Sequence, residues 1–171
     1  MPTTLCLKIS EHIDGWLREA LRLQSMSRWP EALACYEQAV RVSPRDLQTL
    51  IPLGFAYIQL KNWGAAAETY EHIVALLPKD HRVWCNLSYL YEHAGELKMA
   101  EDRARKALRL APDCAEAWNN LGLALRGQHR FTEAMQSFRR ATECQPGFAL
   151  AEYNLAATQL LSGNFELGWN G

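Results

Sequence analysis

The chain has 171 residues, 49% of them apolar, and 18 Lys and Arg against 19 Asp and Glu, for a formal charge of −1. That length and composition allow one ordinary domain or a short array of repeated units with a buried core; the balanced, interspersed charge argues against a nucleic-acid binder, which needs a basic patch to neutralise phosphates. No stretch approaches the roughly 18 consecutive apolar residues of a membrane span, and the opening MPTTLCLKIS lacks the apolar core and cleavage site of a signal peptide.

Taken in chain order, residues 1–12 alternate weakly in hydropathy (Leu5, Leu7, Ile9) and are expected to form a flexible or extended N-terminal arm. Beyond them the chain is periodic. Pro44, Pro78, Pro112 and Pro146 are each 34 residues apart, as are Ala32, Ala66, Ala100 and Ala134. Trp16, Leu50, Trp84 and Trp118 form a third row with this step, and Leu53, Leu87, Leu121 and Leu155 a fourth. Four rows with one period define repeats over 13–46, 47–80, 81–114 and 115–148, with a partial fifth over 149–171. Numbering each repeat from 1, positions 4, 7, 8 and 11 share one stripe of a first helix, and positions 20, 24 and 27 one stripe of a second.

The first repeat carries Glu19 at the position held elsewhere by leucine, flanked by Arg18 and Arg22, as a polar end of an array would. Asp46 and Asp80 stand where N-caps of the next first helix belong. The third repeat carries Trp84, Leu87, Tyr91, Ala100, Ala107 and Pro112, with Ser88 in a slot that is glycine in two other repeats and Ala104 in an aromatic slot. The fourth carries Trp118, Leu121, Gly122, Ala134, Phe138, Ala141 and Pro146. Gly95 and Gly163 fall where a first helix must stop and turn back. The sequence stops at SGNFELGWNG, leaving Phe165, Leu167 and Trp169 without the partner surface a repeat normally provides, and it reads as a fragment.

Period and residue types resemble the tetratricopeptide-repeat family, with its W-x2-L-G-x2-Y, A-x3-F and P pattern, over nearly the whole chain. The resemblance implies an all-α, right-handed superhelical solenoid of antiparallel helix pairs, whose first helices line a concave, peptide-holding surface. Positions 2, 5, 9, 12 and 13 lie opposite the packing stripe, with position 6 at its margin. On that wall Asn86, Asn120 and Asn154 form a column at position 6. Evenly spaced amides can hydrogen-bond the main chain of an extended peptide, as in the similar asparagine ladder of protein O-GlcNAc transferases; the alternative is local hydrogen bonding. Phe55 and Tyr89 are candidate apolar anchors or contacts to the neighbouring repeat's first helix, and Arg82 and Arg126 candidate carboxylate partners or solvated surface. Glu92, Asn119 and Tyr153 complete the candidate binding face, and Cys85 falls on it as well. The family's Lys, Asn and Arg clamp for a C-terminal carboxylate is not matched, since its slots hold Leu17, Leu21, Ile51 and Phe55.

Five cysteines, an odd number without C-x-x-C spacing, disfavour a disulfide framework or zinc site and favour a reducing, cytoplasmic setting. The histidines have no ligand spacing, and neither a phosphate loop nor a G-x-S-x-G elbow occurs. The expectation is a protein that is not an enzyme, with no catalytic residue, metal or cofactor, binding a peptide or protein partner and neither nucleic acid nor membrane. Gly163, Phe165, Gly168 and Trp169 also resemble the segment where bacterial tetratricopeptide proteins continue into a glycosyltransferase domain, making an acceptor-recognition region of such an enzyme the alternative. Self-association through the unfinished fifth repeat is a third reading.

Overall fold

A computed structural model of the chain describes residues 2–163, with side chains from residue 12 onward. Among the described residues there are nine helices and no strand: α1 (Pro2–Ser25), α2 (Trp29–Val42), α3 (Leu47–Gln59), α4 (Trp63–Leu76), α5 (His81–His93), α6 (Leu97–Leu110), α7 (Ala115–Gly127), α8 (Phe131–Cys144) and α9 (Ala149–Leu161). Phe165, Leu167, Gly168 and Trp169 lie outside the described residues. The helices fall into two compact units, α1–α4 within residues 1–76 and α5–α9 within residues 77–171.

The arm expected over 1–12 is instead helix: residues 2–12 begin a 24-residue α1. Pro2 is tolerated at a helix start, where its missing N–H would have no partner anyway. Once residues near Ala20 and Leu23 are packed, each added residue gains a hydrogen bond without a new nucleation cost. A weak alternation of three apolar residues does not compete with that.

In the first unit α1 packs on α2, α2 on α3 and α3 on α4. Its core gathers Ala20, Leu23, Ala32, Tyr36, Leu53 and Ala56. The second unit repeats the scheme from α5 to α9, and there α5 also touches α7 and α7 touches α9, so its first helices lie side by side. The alanine row is explained directly: Ala32, Ala66, Ala100 and Ala134 are all fully buried, and a close-packed interior leaves no room for a larger side chain there.

Position 8 is paired with position 24. A Cβ on Gly54 would sit 2.8 Å from Tyr70 Cε2, and one on Gly122 only 2.5 Å from Phe138 Cε1. The third repeat inverts the pair. Ala104 leaves room that Ser88 uses, its hydroxyl donating to the Ala100 carbonyl at 2.8 Å. Ser88 and Ala104, both departures from the family pattern, are therefore one coupled exchange.

Local chemistry closes each turn. Asp46 Oδ1 accepts from the Gln48 amide at 2.9 Å and Asp80 Oδ1 from the Arg82 amide at 3.0 Å, capping α3 and α5 as their positions predict. Trp84 Nε1 donates to the Pro78 carbonyl at 3.0 Å and Trp118 Nε1 to the Pro112 carbonyl at 2.8 Å, so the tryptophan row grips the loop made by the proline row. Position 15 takes left-handed φ in every repeat: 58° at Ser27, 55° at Lys61, 82° at Gly95, 60° at His129 and 82° at Gly163. Glu101 on α6 binds the turn between α7 and α8, accepting from Arg130 Nη1 at 2.7 Å and from Gln128 Nε2 at 2.9 Å.

Candidate functional site

In the second unit the outward sides of α5, α7 and α9 form one surface. Its residues differ in how far they reach solvent. Tyr153 is 70% exposed and Leu150 53%, both on α9, while Tyr89 on α5 is 38% exposed. The Tyr89 ring lies against His93 with centroids 4.0 Å apart, and His93 Nδ1 is 2.8 Å from half-buried Glu92 Oε2, so these three side chains form a braced cluster. Arg82 is exposed but engaged: its Nη2 lies 2.8 Å from Asp80 Oδ2. That guanidinium bond, aided by the Arg82 amide, holds the Asp80 carboxyl below its ordinary value despite the opposing cost of burial.

The asparagine column is not three equivalent amides. Asn86 is exposed. Asn120 is half-buried and donates Nδ2 to the Cys85 carbonyl at 3.0 Å, using the second lone pair of an α5 helix oxygen. Asn154 is buried, donating to Asn119 Oδ1 at 3.0 Å and accepting from Arg126 Nη1 at 3.3 Å. Asn119, expected on the open wall, is 2% exposed, and Cys85 is buried too. The cause is the neighbouring repeat: position 5 of one first helix faces position 6 of the next, and the polar groups there bond each other across the joint. Two of the three column amides therefore bind repeat to repeat, and Arg126 braces the second of these joints.

The first unit offers a different surface. Ile51 on α3 is 47% exposed and Phe55 41%, with Leu21 on α1 also exposed. Phe55 meets Trp29 edge-on, centroids 5.6 Å apart, so one side of its ring is fixed and the rest faces out. Position 6 of this repeat is Pro52 inside α3, which has no side-chain amide to offer. Ile51 and Leu150 fall at opposite-face positions 5 and 2, on the wall the sequence assigns them to, and Leu21 occupies position 9 of the first repeat, where an apolar residue is unexpected in a plain solvated helix.

Among the described residues no group of three or more His, Cys, Asp or Glu is placed to hold a metal ion, and no helix is long and apolar enough to cross a membrane.

The family profile described as Tetratricopeptide repeat matches residues 17–81 and 86–149. No curated protein sequence matches the chain. Among solved structures it resembles "MamA 41-end from Desulfovibrio magneticus RS-1", with a TM-score of 0.80 at 17% identity over 93% of this chain and 90% of that one. It resembles YrrB, described as a TPR protein with an unusual peptide-binding site, with a TM-score of 0.68 at 23% identity over 90% of this chain and 79% of that one. The protein TTC0263 of Thermus thermophilus, described as a thermophilic TPR protein, gives a TM-score of 0.68 at 22% identity over 91% and 86%. At these identities the likeness establishes the fold.

Proposed function

Because this chain belongs to the tetratricopeptide-repeat family, we propose that it is a non-enzymatic protein-interaction scaffold that holds a peptide or partner protein against the outward sides of its first helices. The observation that carries this reading is the exposed apolar and aromatic side chains on those sides: Leu21, Ile51 and Phe55 in one unit, Tyr89, Leu150 and Tyr153 in the other. Phe55 and Tyr89, whose rings already rest against Trp29 and His93, lose little entropy on binding and make good anchors. That a protein of similar fold is described as having a peptide-binding site is in keeping with this use.

In this reading Asn86 reaches the ligand main chain, with Arg82 and Glu92 at the rim, while Asn119, Asn120, Asn154 and Arg126 fix the spacing of the helices beneath. The test is capture of partners with the whole chain, mapping of the bound segment, and titration of that segment as a synthetic peptide. Tyr89→Ala and Tyr153→Ala should each weaken binding about tenfold, roughly 1.4 kcal/mol, with helical content unchanged. Asn86→Ala tests the amide contact cleanly; Asn120→Ala also removes the bond to the Cys85 carbonyl and must be read beside its loss of stability. Unaltered affinity in both tyrosine variants would remove this face as the site.

A second reading, an acceptor-recognition region of a larger glycosyltransferase, rests on the tail segment around Gly163 and Trp169. The coding sequence after Gly171 decides it. Self-association through α9, where Tyr153 and Leu161 are exposed, is checked by sedimentation of the chain with and without residues 149–171.

A further inference from the structure

Cys85 on α5 and Cys114, the N-cap residue of α7, are 29 residues apart in sequence and 3.8 Å apart Sγ to Sγ. Both are free thiols. Cys85 is buried, and Cys114 is half-buried at the start of a helix whose first amides have no intrahelical acceptor. The Cys114 thiol donates to Glu116 Oε2 at 3.3 Å. The Asn120 bond to the Cys85 carbonyl ties α7 to α5 and keeps the two sulfurs facing each other.

We propose that Cys85 and Cys114 are a peroxide-responsive dithiol whose oxidation links the third repeat to the fourth. The geometry assigns the roles: Cys114 is the half-buried sulfur, at the N-cap of α7, and Cys85 is the buried one behind it. The contact with the Cys85 sulfur, with help from the Ala117 amide, lowers the Cys114 pKa against the opposing effects of burial and Glu116. The same contact, together with burial, raises the Cys85 pKa. Cys114 is the nucleophile and Cys85 the resolving thiol.

In the first step the Cys114 thiolate attacks one oxygen of hydrogen peroxide. The O–O bond breaks, hydroxide leaves, and Cys114 becomes a sulfenic acid. In the second step Cys85 sulfur attacks the Cys114 sulfur, the S–O bond breaks, and the Cys85 proton leaves with that oxygen as water. The hydroxide of the first step takes back the proton Cys114 had released to solvent. Two thiols are thus oxidised by two electrons, and one peroxide is reduced to two waters. The sulfurs must approach from 3.8 Å to about 2.05 Å for the bond to form.

The test uses the whole chain, fully reduced, freed of reductant and treated with one equivalent of hydrogen peroxide. Peptide mapping without reduction should show one intramolecular link, Cys85 to Cys114, and the intact mass should fall by two hydrogens. Cys114→Ser should abolish the link. Cys85→Ser should stop at a sulfenic acid on Cys114, trapped by dimedone, while Cys35→Ser and Cys144→Ser should leave the link unchanged. Circular dichroism confirms that each variant is folded. Oxidation reaching Cys6, Cys35 or Cys144 first, a link between any other pair, or intermolecular dimers as the main product would overturn the proposal, and the wild-type result alone suffices for that. Failure here leaves the binding-face reading intact, since the two rest on different side chains.

Discussion

A single backbone angle recurs five times. Position 15 takes φ between 55° and 82° in every repeat, yet its residues are Ser27, Lys61, Gly95, His129 and Gly163. The turn geometry is set by the helix pair, and the residue complies or strains. A side chain with a Cβ in this region costs roughly 1–2 kcal/mol, partly offset by the larger unfolded-state entropy of glycine. Lys61→Gly is therefore expected to raise the urea midpoint modestly. Gly95→Ala should lower stability by about 1 kcal/mol, although a Cβ there meets nothing within 4 Å. Equal midpoints for the two variants would mean that backbone strain at this position is unimportant. Residue identity misleads in the same way at position 6, where three identical asparagines have three different environments.

At the scale of helices, the unit of packing is a pair of positions rather than a row. Gly122 admits the Phe138 ring, and Ser88 goes with Ala104. Gly122→Ser alone overfills the contact and should cost about 1–3 kcal/mol. Phe138→Ala alone empties it, at about 3–5 kcal/mol. Together they reproduce the arrangement of the third repeat, so the double variant should be more stable than the sum of the singles predicts, by at least about 0.5 kcal/mol. Strict additivity in a double-mutant cycle would show the two positions to be independent. The first repeat varies the pair, with Ala20 at position 8 and Tyr36 at position 24 both fully buried in one cluster.

Across the molecule, pH acts on the two units at opposite ends. In the second unit burial would raise the Glu101 pKa, but the hydrogen bonds from Arg105 and Gln128 and the charge of Arg130 prevail and lower it below 4.5. A carboxyl lowered on folding contributes stability that is complete above its unfolded value and is lost as pH falls through the folded one. Glu101→Gln should therefore destabilise residues 77–171 at neutral pH and flatten the dependence below about pH 4.5. In the first unit burial, with the hydroxyl's bond to Glu37 at 2.8 Å, pushes Tyr57 up to about 12. A group raised on folding stabilises below its unfolded value and loses that contribution as pH climbs through the folded one, so Tyr57→Phe should flatten the alkaline limb. Hydrogen exchange resolved by helix distinguishes the two; loss of protection at the same end of the scale in both units would contradict this assignment.

The 34-residue period, the alternation of first and second helices, the alanine and leucine rows, the aspartate caps and the turn at Gly95 could all be read from the sequence. Each is local or strictly periodic, and helix geometry converts spacing into faces without further information. The burial of Asn119 and Asn154, the clamp of Asn120 on the Cys85 carbonyl, the meeting of Cys85 with Cys114 and the helical state of residues 2–12 were decided only by tertiary structure. A repeat pattern tells which residues recur within one copy, whereas which side chains of an outward face the next copy covers depends on the distance and rotation between neighbouring helices. Those are set by the summed packing of side chains far apart in the chain, and no window of sequence contains them.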